Sequence, residues 1–123
     1  MKNAVVVLGH GSRAKEADSV FKQIVEMVKG KVSCDIVKGA AMELAEPSLE
    51  QTVAEIVEQG VKEINIIPLF LFPGIHIQED IPKLITELEA EYPEVQFNFG
   101  ENIGAHEKVA EIIAERIEEV ENK

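Results

Sequence analysis

At 123 residues the chain has the length of one ordinary domain, read here as a single unit over 1–123 that can close a core without disulfides or a structural metal. Its composition, 46% hydrophobic and 28% charged, is that of a globular domain, and no apolar stretch reaches the roughly 20 residues that span a bilayer. A formal charge of −11 argues against nucleic-acid binding, which needs a basic face to displace counterions from phosphates.

The start, MKNAVVVLG, is too short for a signal peptide and passes directly into fold-like sequence, so a cytoplasmic protein with no membrane association is expected. The single cysteine, Cys34, allows neither an internal disulfide nor a cysteine-based zinc site, which agrees with that compartment.

Strand-like and helix-like patterns then alternate four times, with no linker between them. The first strand is Ala4 to Leu8. A helix follows with Ala17, Val20, Phe21, Ile24 and Val28 three or four apart, stopped by Gly30. The second strand runs from about Ser33 to Ala40. Its helix begins at EPSLEQ, where Pro47 suits a first turn, and turns Leu49, Val53, Ile56 and Val57 inward before Gly60. The third strand is Ile64 to Leu71, followed by a helix from near EDIP with Ile81, Leu84, Ile85 and Leu88 on one face. The fourth strand, Val95 to Phe99, precedes a helix striped by Val109, Ile112, Ile113, Ile117 and Val120. Each apolar stripe is expected to pack on the sheet.

AVVVL and INIIPLFL are continuous apolar runs, as in buried parallel strands, whereas SCDIVKGA and VQFNFG carry the polar residues of edges. Strands one and three are therefore central, and right-handed crossovers give a four-stranded parallel sheet of order 2-1-3-4 in a three-layer αβα, α/β domain. Its winding direction changes between strands one and three. Open α/β sheets bind ligands there, beyond the carboxyl ends of the strands.

Two histidines fall beside that point: His10 in LGHGSR and His76 in PGIHIQED. Either alone would more often be a structural residue, but two at one crevice favour function. Neutral imidazole serves as a metal ligand or as a proton acceptor. Glu43, in the loop after strand two, can fold over the His10 side, and two imidazoles with a carboxylate form a plausible weak site for Co²⁺, Ni²⁺, Fe²⁺ or Zn²⁺. Its alternative is a solvated loop carboxylate. Glu79 and Asp80 are read as charges of the third helix's first turn, and His106 as a surface residue opening the fourth helix.

Gly11 and Ser12 allow the backbone to approach a ligand, or simply make a tight turn. Against the acidic total, a locally basic mouth would need Arg13, Lys15 or Lys38. LFLFPGI, with Gly74 and Ile75 at its end, is too apolar for an ordinary loop. It is core, a subunit interface, or the wall of a pocket for a large flat ligand.

In combination, LGHGSR, MELAEPSLEQ, IPLFLFPGIHIQEDIP and NIGAHEKVAEII resemble, over nearly the whole chain and in the same order, the small CbiX-type sirohydrochlorin chelatases of the class II chelatase superfamily. The resemblance implies that His10 and His76 are an active-site pair with Glu43 beside them. It implies insertion of Co²⁺ into sirohydrochlorin for cobalamin synthesis, or of Ni²⁺ or Fe²⁺ in related enzymes. The metal is then a substrate, and no tightly bound cofactor is expected. Long members hold two copies of this unit facing one another, so one copy implies a homodimer with a cleft built from both subunits. Some short members carry a histidine-rich segment that this chain, with three histidines, lacks, which weakens the case for nickel.

Metal insertion replaces two pyrrole N–H protons, so a catalyst needs a site that releases its metal and a nearby base. On this reading His10 and His76 deliver the metal and accept protons, Glu43 assists, the apolar loop holds the macrocycle, and Arg13 pairs with its carboxylates. Two rivals are a phosphoryl-transfer enzyme using His10, although the arginine of an RHG motif is absent, and a non-catalytic carrier of metal or tetrapyrrole.

Overall fold

The computed structural model describes residues 3–43, 45–72 and 74–122, apart from the side chains of residues 75–78. Its elements are β1 (Asn3–Gly9), α1 (Lys15–Lys29), β2 (Ile36–Ala41), α2 (Leu49–Glu58), β3 (Glu63–Pro68), α3 (Ile75–Glu91), β4 (Gln96–Phe99) and α4 (Glu107–Glu121). The four strands form one parallel sheet in the order β2-β1-β3-β4, the topology expected from the hydrophobic runs. Among the described residues no helix is long and apolar enough to cross a membrane.

Alternation along the central strands divides the core. Ala4, Val6, Leu8, Ile64 and Ile66 point to one face and join Leu49, Val53 and Ile56 of α2 and Leu88 of α3 in the main cluster. Val7, Val25 and Val37 form a smaller cluster on the opposite face, with Phe21 and Val28 of α1 packed against it. Leu8, Ile64, Ile66 and Ile56 are completely buried, and each such side chain contributes about 1.5–3 kcal/mol by leaving water.

The second helix starts where its capping chemistry dictates. Ser48 is the N-cap: its hydroxyl accepts from the Gln51 N–H at 3.2 Å, and the Gln51 side chain accepts from the Ser48 N–H at 2.8 Å. Pro47, expected inside the first turn, therefore sits just before the cap. Ser48→Ala should destabilise the protein by about 1 kcal/mol, measured as a lower urea midpoint with an unchanged slope.

Two further differences matter for the site. The third helix begins at Ile75 rather than near Glu79, and Pro82 lies in its interior. A proline favours the first turn of a helix, which is why EDIP read as a start; here Gly74 takes the N-cap and the Pro82 carbonyl accepts the Thr86 hydroxyl at 2.9 Å. The second difference is α4, whose apolar stripe was expected on the sheet. No residue of α4 is buried, and it packs extensively on no other described element.

Candidate functional site

The site grows out of the β1–β2 pairing. Gly9 stands in register with Ala41 as the last strand pair, yet the ladder continues beyond the strands. The Met42 N–H donates to the Gly9 carbonyl at 2.9 Å, and the Glu43 N–H to the His10 carbonyl at 3.2 Å. This backbone tie sets Glu43 opposite His10, where His10 Nε2 and Glu43 Oε1 lie 3.2 Å apart. The two side chains are 56% and 61% exposed, so solvent reaches the pair and a ligand can too.

Gly11 makes the close approach of the two loops feasible. Its φ is +102°, and a Cβ there would fall on the Glu43 carbonyl oxygen, 2.9 Å from the carbonyl carbon. On the other side, the Leu69 N–H donates to the Leu8 carbonyl at 2.7 Å, which carries the segment after β3 alongside the end of β1. The buried Phe70 ring meets the His10 imidazole edge to face, with centroids 6.3 Å apart at 79°. His10 is thus bracketed by a carboxylate from one neighbouring loop and an aromatic ring from the other.

Two clefts meet at His10. A narrower one of about 230 Å³ is lined by His10, Met42 and Glu43 together with Asp80, Lys83, Leu84 and Glu87 of α3. Three carboxylates against one ammonium give it an acidic lining, suited to a cation. The wider cleft, about 500 Å³, includes Gly9, His10, Gly11 and Ser12, the apolar side chains of Phe21, Val25 and Leu69, and the lysines Lys22, Lys29 and Lys38, each ion-paired with a carboxylate of the same lining, Asp18, Glu26 and Glu55. That volume is in the range of small-molecule sites.

The predicted residues fall as follows. His10, Gly11, Ser12 and Glu43 come together at the clefts. The Ser12 hydroxyl accepts from the Ala14 N–H at 3.1 Å, shaping the turn into α1, and Arg13 is exposed in that turn. Gly74 is the N-cap of α3, and Ile75 and His76 are its first two residues, so His76 belongs to a helical turn rather than to a loop. The side chains of Ile75 and His76, and with them the expected pairing of two imidazoles, lie outside the described residues. Among the described residues, no group of three or more His, Cys, Asp or Glu side chains is placed to hold a metal ion.

Lys38 is not at the strand ends: it pairs with Val6 in mid-strand and its ammonium binds Glu55 at 2.9 Å. His106 caps α4, its Nδ1 accepting from the Lys108 N–H at 3.0 Å, consistent with a helix-start role. Glu79 and Asp80 stand beyond the first turn of α3, and Asp80 lines the acidic cleft. Sequence reasoning missed Lys83 and Glu87 there, although residues 80, 83 and 87 follow the helical spacing of a single face. It also missed the contact of Phe70 with His10, which only the folded path of the β3 segment creates.

Comparison with known proteins identifies a family for the whole fold. The family described as CbiX matches residues 4–120. A chloroplastic sirohydrochlorin ferrochelatase of Arabidopsis thaliana is 34% identical over 94% of the chain, and the chain spans only 52% of its length. A sirohydrochlorin cobaltochelatase of Methanocaldococcus jannaschii is 33% identical over 92% of the chain and 96% of its own. The crystal structure of the sirohydrochlorin chelatase SirB from Bacillus subtilis subspecies spizizenii in complex with cobalt superposes with a TM-score of 0.91. It is 32% identical, covering 98% of this chain and 51% of that one.

Proposed function

The chain belongs to the CbiX family, and on that footing we propose that it inserts a divalent metal, Co²⁺, into sirohydrochlorin with release of two pyrrole protons. The observation that carries this reading is the His10–Glu43 pair at 3.2 Å, set where an acidic cleft meets a wider one. A cation approaches through the narrower side, where three carboxylates face one ammonium, while the flat tetrapyrrole occupies the wider side. His10 stands between them, able to bind the metal or to take a proton. Glu43 orients the imidazole and stabilises it once protonated. His76 acts with His10, as metal ligand or second base. Gly11, Ser12, Gly74 and Ile75 contact the macrocycle, and Arg13 pairs with its carboxylates against the net charge of −11. The reaction is assigned to the cytoplasm.

Support for cobalt comes from a relative named a cobaltochelatase, 33% identical over 92% of the chain, and from a structural neighbour crystallised in complex with cobalt. The test is metal insertion followed through the absorption spectrum of the tetrapyrrole, with Co²⁺, Ni²⁺ and Fe²⁺ supplied singly and in competition. Cobalt should be inserted fastest. Binding of sirohydrochlorin with no acceleration over the spontaneous reaction for any metal would make the protein a carrier. Glu43→Gln, which keeps shape but removes charge, should lower the insertion rate about 10–100-fold, as loss of a residue orienting a metal-binding histidine does.

A further inference from the structure

Two glycines on neighbouring strands let the Phe21 ring of α1 sink onto the sheet beside His10. Gly9 ends β1 and precedes His10, and Gly39 pairs with Val7 from β2. A Cβ at Gly9 would stand 2.7 Å from Phe21 Cε1; one at Gly39 would stand 2.7 Å from Phe21 Cε2 and 3.2 Å from its Cζ. Distances under 3 Å are closer than such carbons come, so a side chain at either position must lift the ring. Glycine weakens a strand interior and commonly marks a place of close approach. Here the far end of one aromatic ring fills the space that two side chains would take.

The recess keeps the wider cleft open. Phe21 is part of the lining of that cleft, together with His10, and is only partly buried. A ring raised off the sheet would use up cleft volume next to the imidazole. The lysines of the lining are already engaged, Lys22 with Asp18, Lys29 with Glu26 and Lys38 with Glu55, each at 2.9 Å. An occupant that leaves these ion pairs intact is held by the apolar lining, to which Phe21, Val25 and Leu69 contribute. Of those three only Phe21 is aromatic, and a flat conjugated ring system gains most from an aromatic neighbour.

We propose that Phe21 is a substrate-contact residue, packing against the macrocycle while His10 meets its centre, and that Gly9 and Gly39 set the depth at which the macrocycle lies. The assignment rests on the wider cleft being the tetrapyrrole side. Phe21 also packs on the cluster of Val7, Val25 and Val37. Core packing alone would make its replacement cost stability, but would not make a folded variant lose affinity.

The test is titration of the intact protein with sirohydrochlorin in the absence of metal, followed by the absorption of the tetrapyrrole, with the urea midpoint of each variant measured alongside. Phe21→Leu keeps an apolar side chain on the valine cluster but removes the ring, and should weaken binding about 10-fold. Phe21→Met is a second variant without the ring, so the result does not hang on one replacement folding. Gly39→Ala should weaken binding by a similar factor by raising the ring. Combined with Phe21→Leu it should add little, because leucine lacks the Cε2 and Cζ atoms that the new Cβ meets. Wild-type affinity in a folded variant without the ring, or losses that multiply in the double variant, would overturn the proposal and leave the chelatase reading standing. A wild-type protein that does not bind sirohydrochlorin would overturn both.

Discussion

Replacing His10 by alanine should lower the rate of metal insertion by about 10²–10⁴-fold, the usual contribution of a positioned acid–base group. The size of the effect follows from where the imidazole stands. It borders both clefts, faces a carboxylate at 3.2 Å and is bracketed by Phe70, so no other described side chain can take its place without rebuilding two loops. The same exposure that opens it to ligands makes it dispensable for folding. Exposed substitutions away from special features change stability within about ±0.5 kcal/mol, so His10→Ala should keep the wild-type urea midpoint. The loss is therefore expected in the chemical step, read from initial rates of spectral change at saturating metal and tetrapyrrole. His76→Ala should give a loss of the same order. Full activity in both variants would remove the proposed chemistry altogether.

Gly11→Ala should damage stability and activity together. The backbone at Gly11 has a φ of +102°, a conformation that costs a residue with a Cβ about 1–3 kcal/mol. The added carbon also falls on the Glu43 carbonyl oxygen, with the Ala41 Cβ a further 3.2 Å away, and neither neighbour is the free end of a flexible side chain. The two loops must separate. That breaks the hydrogen bond from the Glu43 N–H to the His10 carbonyl and moves the carboxylate from the imidazole. A lower urea midpoint is expected, with insertion activity falling at least as far as in Glu43→Gln. A stable variant with normal activity would mean that the loops tolerate separation and that the 3.2 Å pairing is not required.

The sheet order was legible because strand environment writes itself into composition. AVVVL is apolar throughout and INIIP carries Asn65 alone among apolar residues, as central strands do, whereas Lys38 and Asn98 mark edge strands. The meeting of His10 with Glu43 followed from that order alone, since β2 lies next to β1. Where α3 begins was not legible: Pro82 carries the statistical signature of a first turn, and it lies in the interior of a helix that buries Ile81 and sets Leu88 in the main core. The exposed stripe of α4 was equally hidden. Helical periodicity reports that a face wants burial but not which surface supplies it.

The two hydrogen bonds that prolong the β1–β2 ladder past Gly9 and Ala41 have a consequence for how such a site can diversify. The spacing of imidazole and carboxylate is inherited from main-chain register, to which the exposed side chain of Arg13 contributes nothing. That position, and the face of α3 carrying Asp80, Lys83 and Glu87, are free to vary in charge and bulk while the reacting pair stays where it is. Preference for one metal or one macrocycle can therefore drift by surface substitution around a fixed pair, without refolding the scaffold that holds it.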